Sequence, residues 1–142
     1  MTTRAQISAA EKTRDDHTAL MSAALDGDAA TVKAVLKRGA DVNAKDVAGR
    51  TALMFATINC RADAVKALLQ HKADVDARAT DGGTALMLAA SSGDIKIVRM
   101  LLDRGADVNG EFALTGKTAL MLATEHGYAD IAQLLKQAGA KK

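Results

Sequence analysis

Thr51-Ala52-Leu53-Met54 is one of four copies of the same phrase. The others are Thr18-Ala19-Leu20-Met21, Thr84-Ala85-Leu86-Met87 and Thr118-Ala119-Leu120-Met121, evenly spaced except that the last interval is longer by one position. Such a period marks stacked repeats, because one unit of this length is too small to bury its apolar face alone and must lean on its neighbours. Outward from each threonine the same register continues. Nine residues on come Gly27, Cys60, Gly93 and Gly127, and twelve further on come Gly39, Lys72, Gly105 and Gly139. Between these positions lie apolar doublets: Thr31-Val32, Ala64-Val65, Ile97-Val98 and Ile131-Ala132. They are answered one helical turn later by Val35-Leu36, Leu68-Leu69, Leu101-Leu102 and Leu135-Lys136. Apolar residues at i, i+1, i+4 and i+5 make one face of a helix.

The T-A-L-M-x-A-x-x-x-G phrase, the V-x-x-L-L segment and the G-A-D-V-N of residues 39–43 and 105–109 resemble ankyrin repeats over residues 15–140. The resemblance implies an all-α ankyrin-repeat solenoid: stacked helix-turn-helix units, joined by β-hairpin-like fingers, with a concave surface that binds other proteins. On this reading the repeat domain spans 15–142, with repeats at about 15–44, 45–77, 78–110 and 111–142, and residues 1–14 form an N-terminal extension or capping helix. The family usually has Pro and then His after the threonine and its neighbour; here Ala and Met stand in every copy. That pattern is more in keeping with a bacterial source.

The opening threonines are expected to cap the first helix of each repeat, their hydroxyls accepting from unpaired first-turn N–H groups. The glycine positions are expected to be left-handed helix ends. Cys60 and Lys72 then stand where a residue without a Cβ is preferred, at about 1 kcal/mol each, which makes the second repeat the weakest. Residues 4–14 contain no glycine or proline and favour a helix that lays Ile7 and Ala10 over the first repeat. At the other end Lys136 replaces the leucine of the earlier copies, giving the last repeat a polar outer face. The chain thus reads as a complete four-repeat monomer.

Composition narrows the function. The 142 residues carry a mixed net charge of +2, without the basic stripe of a nucleic-acid binder. The only aromatics are Phe55, Phe112 and Tyr128, so Ala, Leu, Val, Ile and Met must build the core. Cys60 is the sole cysteine, which excludes an internal disulfide and fits a reducing compartment. The first residues hold no apolar run of signal-peptide length and no stretch approaches a membrane span, so a cytoplasmic location, with no membrane or nucleic-acid partner, is expected.

Framework positions recur in every copy; positions that vary among copies at the finger tips and first-helix ends are free to bind. The residues selected on this ground are Val47, Arg50, Ile58, Arg78, Phe112, Leu114, Lys117 and His126. Val47, Ile58, Phe112 and Leu114 are apolar where a solvated tip should be polar, and the extra residue of the last interval falls among Glu111–Thr115. An apolar patch with a polar rim suggests a binding surface, and the competing reading has Phe112 and Leu114 folding back onto the neighbouring finger. Lys45, Arg50, Arg78 and Lys117 favour an acidic rim on a protein partner.

Catalytic and cofactor chemistry finds no support in the residues. Gly110 and Gly116-Lys117-Thr118 resemble a phosphate-binding loop, but five residues separate the glycines where that motif has four, and Thr118 is already a repeat of Thr51 and Thr84. His17 and His126 belong to the first and last repeats, roughly 25–30 Å apart if helices pack at their usual spacing. No metal, cofactor or catalytic set is implied. Asp15 and Asp16 read as exposed first-turn charges, Tyr128 as a packing residue, and Asn43 and Asn109 as side chains that tie down the finger backbone. The reading is therefore a non-enzymatic protein-binding module. The alternatives are an inhibitor of a specific enzyme, or a small-molecule or nucleotide sensor.

Overall fold

The computed structural model describes the backbone of residues 4–141 and the side chains of residues 15–141. Among the described residues eight helices follow one another in four pairs. They are α1 (Arg4–Asp26) with α2 (Ala29–Lys37), α3 (Ala52–Ile58) with α4 (Ala62–Gln70), α5 (Ala85–Ser92) with α6 (Ile95–Asp103), and α7 (Ala119–Glu125) with α8 (Ala129–Gln137). The first helices α1, α3, α5 and α7 stack in one row and the second helices in another. The first row packs more closely than the second. The alanine two residues after Met in the repeated phrase makes that approach possible: Ala23, Ala56, Ala89 and Ala123 are all buried. The core between the rows is Leu20, Leu53, Leu86 and Leu120 against Val32, Val65, Val98 and Ile131, sealed by Val35, Leu68, Leu101 and Leu135. Lys136 stands exposed where Leu69 is buried.

Three of the four threonines cap helices. The hydroxyls of Thr51, Thr84 and Thr118 accept from the N–H groups of Met54, Met87 and Met121 at 3.4, 3.3 and 3.3 Å. Thr18 does not: α1 runs unbroken from Arg4 to Asp26, and Thr18 lies exposed within it. Each later first helix is preceded by a finger that turns on a left-handed glycine, Gly49, Gly82 or Gly116. One period before Gly49 the chain has Asp16, which readily continues a helix. No finger forms there, and the extension of residues 4–14 is the start of α1 itself. How Ile7 and Ala10 are placed lies outside the described side chains.

Asp16 also departs from the expected exposed first-turn charge. It is buried inside α1 and accepts a 2.9 Å hydrogen bond from the Arg38 guanidinium at the end of α2. The two non-glycine helix ends are as expected: Cys60 and Lys72 have φ of 56° and 65°, the region that costs an L-residue its Cβ clearance.

Candidate functional site

The fingers are residues 40–50, 73–83 and 106–117, and each is a short hairpin closed by local chemistry. In the first, the Asp46 N–H donates to the Arg50 carbonyl at 2.9 Å and the Gly49 N–H to the Asp46 carbonyl at 2.9 Å. The second repeats this between Ala79 and Gly83, and the third between Phe112 and Lys117, one residue longer because of the insertion. A side-chain oxygen fixes each turn: Asp46 accepts from the Ala48 and Arg50 N–H groups, Asp81 from Gly83, and Thr115 from Lys117. Burial by itself would raise the Asp46 pKa, but the N–H groups of Arg50 and Ala48 and the Arg50 guanidinium outweigh it and hold the carboxyl below its ordinary value.

Successive fingers are joined by the same three bonds. The Thr80 N–H donates to the Ala48 carbonyl and the Ala113 N–H to the Asp81 carbonyl, at 2.9 and 2.8 Å. Lys45 Nζ donates to the Arg78 carbonyl at 3.0 Å and the Arg78 guanidinium to the Glu111 carbonyl at 2.7 Å. The Asn43 side chain accepts from the Asp74 N–H, that of Asp76 from Asp107 and that of Asn109 from Lys141. Asn43 thus ties down finger backbone as expected, with the added feature that the backbone belongs to the next repeat, whereas Asn109 bonds to Lys141 beyond α8, outside the fingers. Gly49 and Gly82 permit the approach: a Cβ on Gly82 would lie 2.8 Å from the Glu111 carbonyl oxygen.

The residues selected from the sequence separate into two groups. Val47 and Leu114, at finger tips, are 105% and 97% exposed, and Ile58, at the end of α3, is 38% exposed. Among the described residues these are the large hydrophobics left in solvent. Phe112 is not one of them. Its ring is half-buried against the core and over Gly83, where a Cβ would meet Cε1 at 2.8 Å. Folding back is therefore correct for Phe112 and incorrect for Leu114, and Phe112 is withdrawn from the exposed patch.

The cations are less free than their sequence positions suggest. Arg50 pairs with Asp46 at 3.1 Å and lies 5.0 Å over the Phe55 ring; Lys117 pairs with Glu125 at 3.0 Å. Lys45 and Arg78 bond to neutral carbonyls and keep their charge uncompensated. His126 is exposed, with Nδ1 at 2.8 Å from the Leu122 carbonyl at the end of α7, and its ring stacks on Tyr128 at 5.7 Å. Tyr128 in turn fills the space beside Gly93, which makes it a packing residue. The Gly110–Thr118 segment that resembles a phosphate loop is the outer part of the third finger with the Thr118 cap of α7. Burial pushes the Cys60 thiol pKa up, with the Asp94 carboxylate adding to it, which disfavours the reactive thiolate.

The bonds from each finger to its counterpart in the next repeat are what sequence reasoning missed. Their signal was present in the recurring Asn/Asp at 43, 76 and 109 and Lys/Arg at 45 and 78. Open grooves lie between the second helices, the first of about 340 Å³ lined by Ala62, Lys66, Leu69, Lys96, Met100 and Arg104 among others. Their charges are mixed. No group of three or more His, Cys, Asp or Glu side chains that could hold a metal occurs among the described residues, and no helix among them is long and apolar enough to cross a membrane.

A family model described as ankyrin repeats, in three copies, matches residues 3–79 and 76–142. A search of curated proteins returns no match. The family match covers nearly the whole chain and agrees with the paired helices, the repeat period and the hydrogen-bonded fingers; the chain belongs to the ankyrin-repeat family.

Proposed function

We propose that this chain is a non-enzymatic binding module that takes a protein partner on its fingers and first-helix face. Ankyrin repeats are in general protein–protein interaction modules. The observation that supports the reading is the exposure of Val47 and Leu114 at finger tips and of Ile58 at the end of α3, while the other large apolar side chains among the described residues are buried or half-buried. Isolated exposed hydrophobics are ordinary, but apolar tips on hairpins held rigid by paired side-chain and backbone bonds offer contact area at little entropic cost on binding. The partner's matching surface is apolar. Its rim is acidic where it meets Lys45 and Arg78, the two finger cations that pair with no carboxylate among the described residues. Binding that inhibits an enzyme would use the same surface.

A small-molecule sensor is less well supported, because such a site needs a concave pocket with convergent polar groups. The groove of about 340 Å³ between α4 and α6 is open and lined by charges of both signs, Asp63 and Asp103 with Lys66, Lys96 and Arg104. The test is capture from a lysate of the source organism with the wild type and with the Val47→Ser, Leu114→Ser double variant as baits. A protein retained by the first and lost by the second, with both baits folded, supports the reading; identical retention by both contradicts it.

A further inference from the structure

The three bonds that join one finger to the next form a template that is filled twice and left open once. On the side of a finger that faces the preceding repeat, the template presents an N–H at the turn, a carbonyl two residues earlier and an N–H four residues before that. On the second finger these are Thr80, Arg78 and Asp74, filled by the Ala48 carbonyl, Lys45 Nζ and Asn43 Oδ1. On the third they are Ala113, Glu111 and Asp107, filled by the Asp81 carbonyl, the Arg78 guanidinium and Asp76 Oδ1. On the first finger the equivalents are Val47, Lys45 and Asp41. Because α1 replaces a preceding finger, no bond from the described residues reaches the Val47 N–H, the Lys45 carbonyl or the Asp41 N–H. Val47, which stands where Thr80 and Ala113 stand, is fully exposed.

We propose that this open edge docks an extended or hairpin segment of another protein carrying Asn or Asp, then Lys or Arg two residues later, then a free carbonyl three residues beyond. That is the chemistry by which Asn43-Ala44-Lys45 with Ala48, and Asp76-Ala77-Arg78 with Asp81, fill the other two edges. Docking of this kind engages three main-chain groups of the edge, one bonded to the partner's main chain and two to its side chains, so those two side chains set the specificity. A second copy of this chain is a poor occupant. Its last finger, the one with no finger after it, has Glu111 in the Lys/Arg position, which cannot donate to a carbonyl, and its inserted residue displaces the tip. The inference rests on the protein-binding reading above and places one contact of that partner.

The test uses NMR of the isotope-labelled full chain, titrated with a synthetic peptide of residues 40–52, the segment that fills the neighbouring edge. The expected result is a saturable shift confined to the amides around Asp41, Lys45 and Val47. It should weaken at least fivefold when the peptide carries Lys45→Glu. In the protein, Val47→Pro removes the N–H at the second residue of a turn closed from Gly49 to Asp46, a position where proline fits. It should weaken binding at least tenfold with the fold intact, whereas Val47→Thr, which copies Thr80, should retain it. Equal binding by Val47→Pro, shifts elsewhere, or no saturable shift overturns the proposal. So does self-association of the free chain that Val47→Pro abolishes, which would make a second copy the occupant. If the natural partner is lost from the Val47→Ser, Leu114→Ser variant but kept by Val47→Pro, the protein-binding reading stands and the edge assignment falls.

Discussion

The Arg38 guanidinium, at the end of α2, donates at 2.9 Å to Asp16, a carboxylate buried inside α1. This bond ties the two helices of the first repeat together at the level where later repeats have a finger. Arg38 is half-exposed, so solvent screens the pair and its worth is nearer that of a surface bridge than of a buried one. Arg38→Ala should cost about 1 kcal/mol, and Asp16→Ala a similar amount, with most of the two losses shared in the double variant. Urea denaturation of the four proteins of that cycle measures the coupling; full additivity would show that the bond contributes nothing.

Replacing Cys60 or Lys72 with glycine should stabilise the chain by about 1 kcal/mol each, because both residues occupy left-handed backbone that glycine enters without a Cβ penalty. The two gains should add, since the sites lie at opposite ends of α4. Thermal unfolding of the single and double variants checks this, and a loss of stability from either would show that the side chain contributes more than its backbone costs.

Gly82→Ala should destabilise by about 1–3 kcal/mol. Its φ is +86° and the new Cβ would sit 2.8 Å from the Glu111 carbonyl, so the second and third fingers must part. Gly105→Ala serves as the comparison: the same left-handed backbone, φ +80°, with nothing within 4 Å. A larger loss at Gly105 than at Gly82 would contradict the finger packing described above.

The lowered pKa of Asp46 fixes the sign of one pH effect. A carboxyl whose folded pKa is depressed binds its proton less readily when folded, so its contribution is complete above the ordinary Asp range near 4 and fades as pH falls through the folded value. Asp46→Asn should remove that part of the acid sensitivity. Stability measured from pH 6 to pH 2 should then fall less steeply for the variant; parallel profiles would show that the turn carboxylate is not linked to folding.

Much of this was legible in the sequence, and the exceptions share a cause. The threonine caps at Thr51, Thr84 and Thr118, the left-handed Cys60 and Lys72 and the core leucines follow from local rules that act within one helix and its ends. Thr18 failed because a cap needs the chain to turn before it. The missing finger glycine at position 16 was the sign that it would not. Phe112 and Leu114 are two residues apart on one hairpin, Phe112 at the start of its turn and Leu114 within it, and only Phe112 is sent toward Gly83. Which of the two went inward depended on the bare glycine surface of the neighbouring repeat. The engagement of Arg50 and Lys117 with Asp46 and Glu125, and of Lys45 and Arg78 with carbonyls one repeat further on, was hidden because composition counts charges without their partners.

A protein-binding role requires that the finger tips serve binding and not folding. The decisive measurement is unfolding free energy and partner retention on the same preparations of wild type, the Val47→Ser, Leu114→Ser variant and Leu101→Ala. The tip variant should unfold within about 0.5 kcal/mol of wild type yet lose the partner, while Leu101→Ala, cut from the buried core, should cost about 2–5 kcal/mol. A tip variant that loses stability on the scale of Leu101→Ala, or that keeps its partner undiminished, would contradict it.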